Sequence, residues 1–221
     1  AVEACVVLED DPVFNAGTGS VFRTDGSVHL DASIQTSEGK MGFVIAMEDT
    51  PNPIRVAADL LDEDINGLTG EGARLWADSK GFEKSKVQGR PPFEGATDTV
   101  GVVARDSSGI IVCATSTGGT SNRPPGRVGD VPLPGCGFWV QDGIGVGATG
   151  IGEAITRGMI SLRVADRILD GKDLEESMIW ALDECLEDGA EVGIIALAAE
   201  GTGHGASNST NMPWASWIAR K

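Results

Sequence analysis

The middle of the chain carries the pattern that most restricts its fold, two runs typical of β-strands on either side of a tight turn. The runs are Thr99–Arg105 and Ile110–Ser116, and the turn between them is Asp106–Gly109. Apolar, β-branched residues flanking a Gly-containing turn predict a β-hairpin. Two further apolar runs, 41–47 and 192–197, predict buried strands. We therefore expect antiparallel sheet.

Helical segments alternate with these strands. Helices are predicted over 53–62, where a proline stands at the first turn, and over 70–79. Apolar residues at helical spacing predict one helix over 155–169, and Asp173 with Glu176 predicts the capped start of another. Strands and helices in this order predict an α+β fold in which helices cover antiparallel sheet.

The composition narrows the function classes. A chain of 221 residues, 41% of them hydrophobic, suits one globular domain. Its net charge of −16 argues against nucleic acid as a partner, because phosphate backbones would be repelled. No run of about 18 apolar residues occurs, so we expect no membrane span. The four cysteines lack C-x-x-C spacing and lie in apolar stretches, which predicts free thiols and a reducing, cytoplasmic location.

Histidine is scarce, and this restricts the catalytic chemistry. The chain has two histidines, His29 and His204, and no tyrosine. A three-His zinc site is therefore impossible, and a mechanism that needs several imidazoles is disfavoured. Any acid–base chemistry here needs another base.

Threonines stand at both ends of the predicted hairpin. Thr99 follows segment 82–98, whose Lys, Gly and Pro content predicts an exposed, mobile linker. Thr117 follows the second hairpin run, so its hydroxyl is expected near that of Thr99. A threonine at the start of a strand is by itself usually structural.

Charged and glycine residues follow the hairpin. Arg127 can hold a carboxylate bidentately, and Asp130, three residues on, can hold an ammonium. The Gly-rich run 148–153 leads into a helix, where backbone N–H groups can stabilise an oxyanion. Taken singly, the first pair is more often a solvated loop and the second an ordinary helix start.

Taken together, the segments that carry these residues closely resemble the plant-type L-asparaginase and isoaspartyl peptidase family of N-terminal-nucleophile hydrolases. They follow the family's order with near-family spacing, and the resemblance spans almost the whole chain. The matching segments are Leu8–Gly19, Leu30–Ser33, Asn52–Ile54, Thr99–Gly101, Thr115–Gly119, Gly126–Asp130 and Ala148–Gly150.

The resemblance implies a four-layer αββα sandwich and a precursor that cuts itself between Asp98 and Thr99. Residues 1–98 and 99–221 would then be the two subunit parts of one structural domain. Cleavage would free the α-amino group of Thr99, and such amines have a pKa of ~7.7–8.0, suited to a base near neutral pH. That amine would take the place of histidine.

The resemblance also implies how a substrate is attacked. The Thr99 hydroxyl would attack the side-chain amide carbon, and Thr117 would tune Thr99. Thr149 and the N–H of Gly150 would form the oxyanion hole.

By the same resemblance, Arg127 would clamp the α-carboxylate of the substrate. Asp130 would hold its α-ammonium with help from the Gly152 carbonyl, and Gly150 would also bind the substrate. Asn15 would support the active site from the loop before the first strand.

The loop over 8–18 resembles the family's sodium loop, so we expect a structural cation there and no cofactor for catalysis. Oxygen-only coordination suits a hard ion. The resemblance further implies small-molecule substrates and a homodimer of processed units. Family members carry a segment before the position of Ala1, and we expect that segment to be missing from this sequence. The implied sodium ligands are the backbone carbonyls of Leu8, Glu9, Asp11, Phe14, Ala16 and Thr18.

Two alternatives remain open beside hydrolysis of L-asparagine and β-aspartyl dipeptides. Asp98 stands where plant-type members usually have glycine, which points to a glycosylasparaginase, whereas Ser116–Gly119 favours the plant type. Residues 208–212 also depart from the family's usual ending. The second alternative is an unprocessed or inactive homologue that binds an amino acid. The presence of Thr99, Thr117 and Thr149 argues against it, because a protein that only binds has no evident need for all three hydroxyls.

Overall fold

The strands form two sheets in a computed structural model that describes residues 1–91, 99–210 and 212–218. The first sheet has the order β3-β2-β1-β5-β4 and the second the order β6-β7-β8-β9. Pairing is antiparallel except between β2 and β3. The first sheet comprises β1 (Leu30–Thr36), β2 (Met41–Met47), β3 (Gly67–Thr69), β4 (Val100–Arg105) and β5 (Ile111–Thr117). The second comprises β6 (Phe138–Gln141), β7 (Ile144–Gly150), β8 (Val192–Leu197) and β9 (Gly203–Ser207).

Helices pack against each sheet. The first sheet carries α1 (Val2–Asp10), α2 (Pro53–Asp59) and α3 (Gly70–Ser79). The second carries α5 (Ile160–Leu169) and α6 (Leu174–Glu184), and α4 (Gly152–Gly158) follows β7 directly. The two sheets also touch each other, since Ile111 and Cys113 of β5 form an apolar cluster with Phe138 and Val140 of β6. The mixed α/β character predicted from the sequence is confirmed.

The central hairpin is confirmed. β4 pairs with β5 from Val100 opposite Ser116 to Arg105 opposite Ile111. β5 also pairs with β1, which places the hairpin inside the first sheet. The hairpin therefore fixes the position of Thr99 at one end of the sheet.

The predicted helices form, with one difference. The α6 start has the expected cap, since the Asp173 side chain accepts the backbone N–H of Glu176. The single helix predicted over 155–169 is wrong, because the chain breaks into α4 and α5 at Met159, whose φ is +46°. Gly158 packs closely against the segment that follows α6, and a Cβ on Gly158 would lie 2.6 Å from the Cys185 carbonyl oxygen.

Part of the segment predicted as a linker is docked on the protein. Buried Arg74 of α3 donates hydrogen bonds to the carbonyls of Phe82 and Glu83, and the Ser85 N–H donates to the Asp49 carbonyl. The mobility predicted for 82–98 remains a prediction, and residues 92–98, including Asp98 of the expected cleavage site, lie outside the described residues. Among the described ranges, no helix has the length and apolarity needed to cross a membrane.

Candidate active site

The hairpin brings the two predicted threonines to one cleft. Thr99 is half-buried immediately before β4, and Thr117 is the buried last residue of β5. Since Val100 lies opposite Ser116, continuing the register by one residue sets Thr99 opposite Thr117. The described residues that line this cleft are Thr99, Thr117, Gly119, Thr120, Arg127, Gly129, Asp130 and Gly150. Residues predicted from separate sequence segments thus meet in space.

Asn15 supports the backbone that follows Thr117. Its Nδ2 donates to the Gly119 carbonyl at 2.6 Å, and its Oδ1 accepts the Val21 N–H at 3.1 Å. The Thr117 hydroxyl accepts the Gly119 N–H at 3.0 Å. A Cβ on Gly118 would lie 2.6 Å from Asn15 Oδ1, so this close approach requires glycine. Asn15 is therefore placed to hold the turn after Thr117, as the supporting position predicted for it requires.

Arg127 lines the cleft and is held from behind by a carboxylate. Its Nε and Nη2 donate to the two carboxylate oxygens of Glu153, at 3.1 and 2.8 Å. Only 10% of the Arg127 side chain is exposed, against 37% of Glu153. Sequence reasoning missed Glu153, because an acidic residue in the first turn of a helix is commonly explained by the helix dipole.

Asp130 presents a buried carboxylate that lacks a full set of partners. Its Oδ2 has no hydrogen-bond partner among the described residues. Burial raises the pKa of Asp130 to about 7; the charge of Arg127 opposes this rise, and those of Asp31 and Glu153 add to it. A buried, unpaired carboxylate oxygen is costly, and a ligand ammonium would relieve that cost.

Gly152 lies between the two predicted substrate-binding side chains. A Cβ built on it would lie 2.7 Å from Asp130 Oδ1 and 2.8 Å from Arg127 Nη2. A residue with a side chain could not occupy this position without displacing one of these groups. The structure therefore gives a steric reason for glycine here.

Arg23 and Asp31 lie buried close to the site, and sequence reasoning assigned neither a role. Arg23 is 3% exposed and donates to the Thr120 carbonyl at 3.2 Å. Asp31 is fully buried and accepts the Ala46 N–H at 2.8 Å, while its Oδ2 has no partner within the described part of the chain. Burial raises the pKa of Asp31 to about 6, and the charges of Arg23 and Arg127 oppose that rise. The position of Asp31 in a matched family segment was the only available signal.

Gly150 reaches the cleft at the end of β7. It adopts a φ of +128°, and a Cβ there would lie 2.2 Å from the Glu191 carbonyl oxygen. That carbonyl also accepts the Ile151 N–H. Thr149 pairs with Gly193 of β8 and is half-buried, and it is not among the described residues that line the cleft. Of the two predicted oxyanion-hole residues, the structure places Gly150 in the cleft and Thr149 beside it.

The loop after α1 is crowded with backbone carbonyls. A Cβ on Gly17 would lie 2.6 Å from the Glu9 carbonyl oxygen. One on Gly19 would lie 2.0 and 2.7 Å from those of Phe14 and Pro12. No group of three or more His, Cys, Asp or Glu side chains that could hold a metal occurs in the residues the structure describes. Backbone carbonyls are thus the donors that this loop offers, and they suit a hard cation.

The Glu9 side chain points away from this loop and into the protein. Its Oε1 accepts hydrogen bonds from the Ser116 hydroxyl at 2.6 Å and the Ile54 N–H at 3.2 Å. Burial raises the pKa of Glu9 to about 8. Through Ser116, this carboxyl ties α1 to the strand that ends in Thr117.

Comparison with known proteins identifies relatives across nearly the whole chain. A family model described as asparaginase matches residues 1–90 and 84–221. A plant-type L-asparaginase from Pyrobaculum calidifontis is 37% identical, over 82% of this chain and 69% of the relative. An isoaspartyl peptidase/L-asparaginase from Bos taurus is 37% identical, over 97% of this chain and 78% of the relative. An isoaspartyl peptidase/L-asparaginase from Synechocystis is 32% identical, over 90% of this chain and 69% of the relative.

Proposed function

The chain belongs to this asparaginase family, and from that premise we propose that it hydrolyses the side-chain amide of L-asparagine and the isopeptide bond of β-aspartyl dipeptides. The observation that carries the proposal is the cleft, which joins two threonines to an arginine and to the buried Asp130, whose Oδ2 has no hydrogen-bond partner among the described residues. Such a site offers a nucleophile together with separate groups for the carboxylate and the ammonium of an amino acid.

The nucleophile in this proposal is the Thr99 hydroxyl, and self-cleavage after Asp98 supplies its base. The freed α-amino group of Thr99 takes the hydroxyl proton while the oxygen attacks the side-chain carbonyl carbon of the substrate. The protonated amine then gives its proton to the departing nitrogen, which leaves as ammonia or as an amino acid. Water attacks the resulting ester, releases aspartate and restores the hydroxyl.

The oxyanion that forms during each attack is stabilised by the Gly150 N–H and the Thr149 hydroxyl. Each donor of this kind is typically worth about 3–4 kcal/mol of barrier. Thr117 lies on the strand paired with β4, opposite Thr99, and in this proposal its hydroxyl tunes the Thr99 hydroxyl. Asn15 holds the turn that follows Thr117.

The substrate is held through its two charged groups. Arg127 binds the α-carboxylate, and Asp130 binds the α-ammonium with the Gly152 carbonyl beside it. The missing partner of Asp130 Oδ2 supports this assignment, because an ammonium would supply the absent hydrogen bonds.

The proposal also covers the layer architecture, the assembly, the cellular location and a structural ion. The helices on each sheet and the contact between the sheets support a four-layer αββα sandwich. The proposed assembly is a homodimer of two processed αβ units. All four cysteines are free, which supports a reducing compartment such as the cytoplasm. A sodium ion would stabilise the loop after α1 and take no part in the reaction. Its ligands would be the backbone carbonyls of Leu8, Glu9, Asp11, Phe14, Ala16 and Thr18.

The test combines intact-mass measurement with turnover. The proposal requires a fragment whose first residue is Thr99, together with release of ammonia from L-asparagine and of free amino acid from β-aspartyl dipeptides. Thr99→Ala should abolish both cleavage and turnover. A chain that stays uncut on incubation would overturn the mechanism. Faster turnover of asparagine carrying a sugar on its amide nitrogen would indicate a glycosylasparaginase, and tight binding of L-aspartate without turnover would indicate an inactive homologue.

A further inference from the structure

We propose that Glu153 is a positioning residue that fixes which edge of the Arg127 guanidinium faces the substrate, an inference that rests on the proposed function. Arg127 and Asp130 are to hold opposite charges of one small molecule, yet they carry opposite charges themselves and lie three residues apart. A device is needed that keeps them from pairing with each other.

The first observation is the geometry of the Arg127–Glu153 pair. Both Glu153 oxygens are engaged, one by Nε at 3.1 Å and the other by Nη2 at 2.8 Å. A guanidinium has five N–H donors, which serve a side edge at Nε and Nη and an end edge at Nη1 and Nη2. Glu153 takes the side edge, so the end edge is the one left for a ligand carboxylate.

The second observation is where that end edge lies. Arg127 and Gly129 both line the cleft, and a Cβ on Gly129 would lie 2.8 Å from Arg127 Nη1. The end edge of the guanidinium therefore lies beside Gly129, which itself lines the cleft. Glu153 itself is absent from the described residues that line the cleft, so it acts on the substrate through Arg127.

The third observation is electrostatic. The ion pairs of the described residues join Arg127 to Glu153 and not to Asp130. A hydrogen bond from Arg127 lowers the pKa of Glu153, so this carboxylate stays ionised when Arg127 is beside it. Arg123 adds a second cation, with Nη2 at 3.9 Å from Glu153 Oε1. Without Glu153, Arg127 would be free to turn toward the unpaired carboxylate of Asp130 and neutralise the ammonium site.

Glu153→Gln tests this inference, because glutamine keeps the size but loses the charge and one acceptor. Binding of L-aspartate, the proposed product, is measured by calorimetry so that the result does not depend on turnover. We expect the Kd for L-aspartate and the KM for L-asparagine to rise about tenfold, which corresponds to about 1.4 kcal/mol. We expect kcat and self-cleavage to stay at wild-type values and the thermal midpoint to fall slightly, because Arg127 loses a charged partner.

The matched control is Glu187→Gln, which removes a carboxylate from an exposed arginine pair outside the cleft, Arg157–Glu187. It should leave Kd and KM unchanged. In an Arg127→Ala background, Glu153→Gln should have no further effect on KM, because its action passes through Arg127.

Three outcomes would overturn the inference. The first is an unchanged Kd and KM in Glu153→Gln, and the second is an equal effect in the Arg127→Ala background. The third is a joint loss of kcat, self-cleavage and thermal stability, which would mark Glu153 as merely structural. Wild-type protein that binds L-aspartate but cleaves no amide would refute the proposed function while leaving the Glu153 comparison readable.

Discussion

At the scale of single residues, the cleft is organised by buried charge. Asp31 and Asp130 each keep one carboxylate oxygen without a hydrogen-bond partner among the described residues. Burial raises the pKa of both carboxyls; the charge of Arg127 opposes the rise at each of them, and the charge of Arg23 opposes it at Asp31. A carboxylate buried in this way loses hydration that hydrogen bonds or an opposite charge must replace. A zwitterionic amino acid supplies charges of both signs, which is why the cleft suits this class of ligand.

Removal of Arg127 should weaken substrate binding more than it slows the chemical step. We expect Arg127→Ala to raise the KM for L-asparagine about 10- to 100-fold, because a charge-assisted hydrogen bond contributes roughly 1.5–3 kcal/mol. Steady-state kinetics would check this, with Arg157→Ala, from an exposed ion pair, as the control. An equal loss of affinity for β-alanine, which lacks the α-carboxylate of aspartate, would contradict the assigned role.

Ligand binding should depend on pH through Asp130. Its pKa is raised to about 7, so the anion that would bind an ammonium is lost as the pH falls below that value. We expect the inhibition constant of L-aspartate to rise up to about tenfold per pH unit below 7. Competitive inhibition measured from pH 5.5 to 8 would check this.

Two variants assign that pH dependence. Asp130→Asn should bind L-aspartate weakly and without this dependence. Asp31→Asn should move the inflection to lower pH, since the charge of Asp31 helps to raise the pKa of Asp130. An inflection that is unchanged in Asp130→Asn would show that another group is responsible.

At the scale of elements, the site is built where strands end and a helix begins. β4 and β5 bring Thr99 and Thr117 to one end of the first sheet, and β7 brings Gly150 from the second. The start of α4 places Gly152 against Asp130 and Glu153 against Arg127. The backbone at these ends must approach side chains closely, and that requirement explains the glycine there.

Two glycine-to-alanine changes at helix starts should differ in outcome, since one should impair substrate binding and the other should stabilise the fold. Gly152→Ala would put a Cβ within 3 Å of Asp130 Oδ1 and Arg127 Nη2, so we expect KM to rise at least about tenfold. Gly72→Ala in α3 meets no atom of the described residues within 4 Å and should stabilise the protein by about 0.5–1 kcal/mol. Kinetics and thermal unfolding of both variants would check this. Wild-type KM in Gly152→Ala would show that the substrate groups tolerate displacement.

At the scale of the whole molecule, the expected cleavage point falls between strands of one sheet. β1, β2 and β3 belong to residues 1–98, while β4 and β5 belong to residues 99–221. β5 pairs directly with β1, and the core of the first sheet includes Val100 and Ala114 from the second part. The two parts therefore share one hydrophobic core and one sheet.

Cleavage should consequently leave the particle intact. We expect both fragments to elute together in size-exclusion chromatography under native conditions and to separate only in denaturant. Burial of the shared apolar core holds the fragments together after the peptide bond between them is cut. The particle mass, measured by light scattering, should correspond to two copies of each fragment. Fragments that separate in native buffer would contradict the one-domain organisation.

The elements were largely predictable because their signals are local. The β4–β5 hairpin followed from apolar runs around a turn, and the α6 start from Asp173 and Glu176. The break at Met159 was not predictable, since the periodicity continues through it and the close contact of Gly158 with Cys185 is made by a distant part of the chain. A local pattern carries no information about such a neighbour.

The amino-acid sequence alone shows which reactive groups are present, namely hydroxyls at strand ends, a cation and an anion three residues apart, and glycines before a helix. These are properties of residue type and short spacing. The partners of these charges are visible only in the folded chain, where Arg127 pairs with Glu153 and where Asp31 and Asp130 are buried. The physical reason is that burial and ion pairing depend on which distant segments pack together.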